Sequence, residues 1–430
     1  MRKNRFIFFL LMQLGVLYTV WSCNNPQNED GFSKTTVWTA GENNMECYRI
    51  PGIVVSTKGT VLAFAEERPV CGDEAPKSIV LKRSEDKGKT WSANIYIERC
   101  DGSYWKEHPD EVAPEDVADK QEVWTNIAPI VDKITGRIFF FYALSEGAVN
   151  GQNLQRYTKV FYKYSDDDGL SWSERLEITG VLNAKEDGSP NKDGNGNRIT
   201  DVNGFPCDYL GRAFHMPGPG HGIQLTGGRL LLQVWNRTAL GTLKNGAIPV
   251  EERKYGICTI YSDDHGKSWH YGSAFGHDGL NMNESRMAEL PNGDVYINAR
   301  YVNMNSGSPD NRRITAISHD KGKTWTDIHI DTNFPLTNPC DGGLVLFTNK
   351  DGEDILLYSK NEAPGRRENL VVRLSYDEGK SWPVVKIVDK GRALYSDLAV
   401  LPDHTFLLIY ETGKNSPVYC ARFTLQRVVE

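Results

Sequence analysis

Three observations in the sequence predict an all-β fold, a six-bladed β-propeller closed by its own N-terminal strand. One octapeptide, Ser-x-Asp-x-Gly-x-Ser/Thr-Trp, occurs five times, at residues 84–91, 165–172, 262–269, 318–325 and 375–382. A pair of apolar runs around a turn precedes each copy, and a sixth pair, at 397–401 and 405–410, has no octapeptide. Self-similarity on this scale argues for one array of like units, although 430 residues would otherwise allow two or three domains.

In chain order, residues 1–22 are expected to be an export signal. Arg2, Lys3 and Arg5 precede an apolar run at 6–20, too short and wrongly flanked for a spanning helix. Val20-Trp21-Ser22-Cys23 resembles a bacterial lipobox, so Cys23 is the candidate for lipidation and simple cleavage near Ser22 is the alternative. Residues 23–31 read as a polar tether. The expected location is therefore the bacterial outer membrane, through a lipid anchor, or the secreted fraction. Removing 1–22 takes three basic and no acidic residues and moves the formal charge from −7 to −10. So acidic a surface excludes non-specific binding to nucleic acid or anionic lipid. The seven cysteines after Cys23 are scattered without metal spacing or a legible disulfide pattern, and no metal or cofactor is expected.

Residues 32–430 then read as blades. The hairpins are 53–56 with 60–66, 128–131 with 137–143, 222–225 with 229–235, 285–290 with 294–300, and 342–347 with 354–360. After each comes a longer link, a third strand, the octapeptide and a fourth strand. In the octapeptide, Asp caps backbone amides of its own loop, Gly takes positive φ and Trp packs on the sheet, which is turn chemistry. The sixth hairpin continues into 418–425, and residues 35–39 supply its missing fourth strand, leaving no free edge. An antiparallel meander reverses at every turn. The octapeptides therefore share one face, and the links between second and third strands share the other with the blade-to-blade crossings. The insertions at about 98–125, 145–158, 179–220 and 301–312 all fall on this second face.

The octapeptides resemble the Asp-boxes of the bacterial exo-sialidase family, the Asp-box or BNR-repeat neuraminidases. Other motifs resemble that family's site, and all fall on the second face. Tyr48-Arg49-Ile-Pro lies just before the first strand of blade one, and Asp73 follows Arg68 in a link between strands. Glu284 precedes blade four and Arg300 ends its second strand. Arg366-Arg367 lies in the blade-five link, Tyr395 enters blade six and Glu411 ends its second strand. The resemblance implies Tyr395 as nucleophile, Glu284 as its base and Asp73 as acid/base. Arg49, Arg300 and Arg367 would grip the substrate carboxylate, with Glu411 orienting Arg49 and Arg366 as the alternative to Arg367. Arg68 is a candidate for contacting the sugar or supporting its loop, and Trp124 and Asn126 for lining the pocket of the N-acetyl group. His221 reads as a loop residue beside the entrance, and the acidic stretch 107–122 as a solvated loop.

The chemistry explains the residue types. A sialic acid bears a carboxylate on its anomeric carbon, which guanidiniums recognise bidentately and a carboxylate nucleophile would repel. A tyrosine avoids that repulsion but, with an ordinary pKa near 10, needs a base. The expected partners are sialylated glycans, cleaved with retention at the anomeric carbon. Three other readings are an intramolecular or acceptor-directed trans-sialidase, a glycan-binding propeller without activity, and a glycanase for neutral polysaccharide. A lectin would need none of Tyr395, Glu284 and Asp73, and a neutral substrate none of the three arginines.

Overall fold

The computed structural model describes residues 31–111, 120–148, 153–242, 246–276, 279–302 and 311–430. The export segment, Cys23, all but the last residue of the tether and the middle of the acidic stretch lie outside the described residues.

Six antiparallel sheets follow one another along the chain, each a blade. Blade one runs through Cys47–Val55, Val61–Arg68, Ser78–Ser84 and Ile95–Glu98, and blade two through Val123–Val131, Ile138–Ser145, Thr158–Ser165 and Leu176–Glu177. Blade four comprises Met282–Glu289, Val295–Tyr301, Arg313–Ser318 and Thr326–Asp331. Blade five comprises Gly343–Thr348, Asp354–Asn361, Glu368–Ser375 and Val384–Arg392. Blade six closes the ring as expected: Ser396–Val400, Phe406–Glu411 and Val418–Phe423 are completed by Phe32–Trp38, with Thr35 opposite Cys420. Burial explains why second strands read as apolar runs. Ile138–Ser145 is buried at every position, whereas the outermost Val384–Arg392 is exposed at alternate residues along its first half.

Blade three departs from expectation. Its first strand is split into Phe214–Pro217 and Ile223–Gln224, both paired with Leu230–Arg237, ahead of Tyr255–Ser262 and His270–Phe275. The end of the 179–220 insertion is thus strand, interrupted by Gly218-Pro-Gly220. The rest of that insertion is ordered by a repeat not recognised in the sequence. Asn191, Ile199 and Cys207 each donate their backbone N–H to the carbonyl eight residues earlier, at 3.1, 3.1 and 3.2 Å. Gly188, Gly196, Gly204 and Gly211, all at positive φ, turn the chain between rungs.

The octapeptide turns are built alike. In the first, Asp86 accepts from Ser84 Oγ and from the Thr90 N–H and hydroxyl, at 2.7–2.9 Å, while Ser84 Oγ accepts from Gly88 N–H. Each turn also staples its blade to the one before. Trp269 meets Phe139 and Phe141 of blade two edge-on, with centroids 5.6 and 4.8 Å away. A Cβ on Gly266 would stand 2.1 Å from Phe139, so glycine is required there by contact as well as by φ.

Candidate active site

The site residues stand where inner strands are irregular. Arg49 does not precede its strand but lies within it, at a register shift between Arg49 and Gly52 with Ile50 at φ 54°. Glu284 likewise lies inside its strand, within the shift between Met282 and Ser285, and Asn126 within that between Thr125 and Ala128. Bulges re-aim side chains, and here they turn charged groups towards the loop face.

The guanidinium of Arg49 donates from Nε and Nη2 to the two oxygens of buried Glu411, at 2.9 and 3.0 Å, and lies 3.6 Å from Asp73. Arg300 donates from Nη1 to Glu284 at 2.6 Å and to the Tyr395 hydroxyl at 3.0 Å, and that hydroxyl donates to Glu284. Arg49 and Arg367 sit 5.6 and 5.7 Å from the Tyr395 ring centroid. Arg367 is held by Asn338 Oδ1 and the Pro339 carbonyl, whereas Arg366 is exposed and faces Glu368, so Arg367 belongs to the cluster. Burial, and then the charge of Glu284, raise the Tyr395 phenol well above its usual range, so it rests protonated. Glu284, Tyr395, Asp73 and the three arginines therefore converge on the face opposite the octapeptide turns.

Burial would raise the carboxyl of Asp73, but Arg68 and then Arg49 outweigh it and hold it at about 2. Arg68 is buried, with Nε and Nη2 given to Glu66 and Nη1 to Asp73 at 2.9 Å. Nη1 alone reaches the Asp73 loop, at the Gly72 carbonyl and the Asp73 carboxylate, while the other two donors anchor Arg68 to its own strand. A disulfide that the sequence did not reveal, Cys47–Cys71, straps the same loop to blade one.

Two expectations are corrected. Trp124 lines no pocket: it is fully buried, with Nε1 donating to the Arg99 carbonyl, because the strand begins earlier than its pattern suggested and turns the indole into the core. His221 is not beside the entrance. Its Nδ1 lies 3.0 Å from Asp397, beneath the site, and its ring borders the axial channel. Asn126 is nearly buried, and its amide donates to the Pro217 carbonyl at 3.2 Å.

Several supporting residues were missed. Buried Glu66 holds Arg68, the Thr125 hydroxyl and the Asn126 N–H. Lys360 donates to Thr337, the Asn338 carbonyl and the Asn361 carbonyl, fixing the segment that holds Arg367, and burial lowers its amine to about 7. Below the cluster, buried Arg286 pairs with Asp341 at 2.6 Å and donates to Asp397 at 3.2 Å, and Asp397 also accepts from Ile53 N–H. Gly220 lets the chain pass the Arg286 guanidinium: a Cβ there would overlap it, 2.0 Å from Nη2.

Residues 94–408 match the family described as BNR repeat-like domain, and the chain belongs to that family. Among its curated relatives, a sialidase of Micromonospora viridifaciens is 27% identical over 406 residues, covering 90% of this chain and 53% of that protein. A sialidase of Bacteroides fragilis is 25% identical over 394 residues, covering 87% and 61%. The chain thus spans roughly half to three-fifths of the length of these two relatives. The solved structure of the Hadza microbial sialidase Hz136 superposes with a TM-score of 0.70 at 24% identity, covering 92% of this chain and 69% of that one, and shares its fold.

Proposed function

We propose that this protein is an exo-α-sialidase that hydrolyses terminal sialic acids from glycans with retention, Tyr395 being the nucleophile. The observation that carries this reading is the Tyr395 hydroxyl hydrogen-bonded to Glu284, with Arg49, Arg300 and Arg367 gathered around it. Relatives that are sialidases support it. The three guanidiniums take the substrate carboxylate and set the anomeric carbon over the phenol. Glu284 removes the phenolic proton as the oxygen attacks, so a high resting pKa is no obstacle. Asp73 protonates the departing oxygen and then draws a proton from water, which opens the sialyl-tyrosine.

Ligand-free Asp73 is ionised, so it must gain a proton when substrate binds. The substrate's carboxylate on Arg49 neutralises one of the three charges, Arg68, Arg49 and Lys77, that depress Asp73 and raises its pKa at the moment an acid is needed. The export motif, with a disulfide suited to an oxidising compartment, supports placement outside the cytoplasm on a lipid anchor at Cys23. The test is turnover of a fluorogenic sialoside. The wild type should release free sialic acid, not an anhydro-sugar, and Tyr395→Phe should lose at least about 10²-fold in kcat with its melting temperature kept. Near wild-type turnover of Tyr395→Phe by the same retaining route refutes the assignment.

A further inference from the structure

We propose that a cleft between the outer edge of blade two and the turn ladder at 183–212 is a second saccharide site, taking a neutral sugar of the glycan rather than sialic acid. The cleft holds about 490 Å³, within the range of small-molecule sites, and is lined by residues outside the catalytic cluster. Its lining includes the start of Thr158–Ser165 and the end of blade two's outermost strand, at Glu177. Antiparallel order puts both on the loop face that carries Tyr395. A glycan engaged at the catalytic cluster thus lies over the same face of the ring.

Four features give the cleft its chemistry. Half-buried Tyr157 and Phe205 stack with centroids 4.1 Å apart and planes 26° from parallel, a rigid aromatic wall for the C–H face of a pyranose. Asn183 lines the cleft at 4% exposure, and its buried Oδ1 has no hydrogen-bond partner among the described residues. Arg198 is exposed, and its guanidinium has no side-chain partner among the described residues. It reaches over Gly180, where a Cβ would lie 3.0 Å from Nη2. The charged lining is Asp110, Glu111 and Glu177 against Lys159 and Arg198, with Lys159 already paired to Glu111. That balance is net acidic, the reverse of the catalytic cluster, and it disfavours a second carboxylated sugar.

The inference rests on the sialidase reading only for the source of the sugar, so its first arm does not use catalysis. N-acetyllactosamine is titrated into the full chain, the Tyr395→Phe variant, Tyr157→Ala and the surface variant Arg198→Ala, with thermal unfolding as the folding control. Binding should be equal in the wild type and Tyr395→Phe, and at least tenfold weaker in Tyr157→Ala and Arg198→Ala. In the second arm, Arg198→Ala should cleave a small fluorogenic sialoside normally yet lose several-fold in kcat/KM on a sialylated poly-N-acetyllactosamine. No binding of N-acetyllactosamine to the wild type, or binding unchanged in folded Arg198→Ala, overturns the proposal. Free sialic acid displacing N-acetyllactosamine from the cleft overturns the neutral-sugar assignment. Should the wild type fail to cleave any sialoside, the sialidase reading falls while the titration still decides the cleft.

Discussion

Glu411→Gln keeps the size of a side chain that is fully buried but removes its charge and one of its two acceptor oxygens. In the native protein those oxygens take Nε and Nη2 of Arg49 at 2.9 and 3.0 Å. Removing one partner of a buried pair costs about 3–5 kcal/mol. The glutamine retains one acceptor, so about 2–3 kcal/mol is expected to be lost here. That loss divides between two observables. Arg49 already lies 3.6 Å from a second anion, Asp73, and will lean further towards it, so a ligand carboxylate must displace a competitor held more tightly than in the wild type. If the whole loss falls on binding, affinity for a non-hydrolysable sialic acid analogue drops about 30- to 150-fold, at roughly 1.4 kcal/mol per decade. The part that falls on folding appears in denaturant unfolding. Calorimetric titration and an unfolding curve on the same preparation separate the two. Changes below about 0.5 kcal/mol in both would show that Glu411 does not hold Arg49, and the wiring of the site would have to be redrawn.

Other expectations are as direct. Cys71→Ser should cost about 3–4 kcal/mol of stability from the freed loop and lower turnover through Asp73, two residues away; an unchanged melting curve refutes this. Asp397→Ala, which strips Arg286, His221 and Ile53 N–H of a shared partner, should destabilise by about 3–5 kcal/mol and Asp397→Asn by less, read by chemical unfolding. Asp73 should titrate near 2 rather than 3.8 without ligand, its ionised form stabilising the fold above about pH 4 and that contribution disappearing as pH falls through 2. In Arg49→Met, carboxyl NMR should show that titration moved upward, and an unmoved value would uncouple the two residues.

The octapeptides made the blades legible because five copies in register fix both turn type and strand order. Parity then placed the site on one face without reference to any distance. What the sequence concealed has physical reasons. Ile50 and Asn126 adopt positive φ inside strands, and bulges break the alternation by which strand starts are recognised, so the inner strands of blades one and two appeared to begin about five residues late. The same early start carries Trp124 into the core. Arg286, Asp341 and Asp397 are charged yet buried, and the ring geometry, which brings inner strands together around a narrow axis, pairs the arginine with both carboxylates, while buried Glu66 is paired with Arg68. Cys47 and Cys71, among scattered cysteines, meet because a loop folds back. The eight-residue ladder was present in the spacing of Asn183, Asn191, Ile199 and Cys207, but its rungs lack the apolar periodicity of a blade.

The pairing of Phe32–Trp38 with Val418–Phe423 bears on how the protein is born. Arg49 and Glu411 are 362 residues apart, and closing a loop of that length costs about 5 kcal/mol in chain entropy before any contact compensates. The first five blades are local and can form as they emerge, but the carboxylate that holds Arg49 arrives only with the sixth. On the proposed mechanism, a nascent chain lacking its last blade has neither Tyr395 nor Glu411, and so would have no partial activity to release. On that reading ring closure would be a completion step, and chains halted or clipped before it would be catalytically silent, with blade edges open to pairing with other chains.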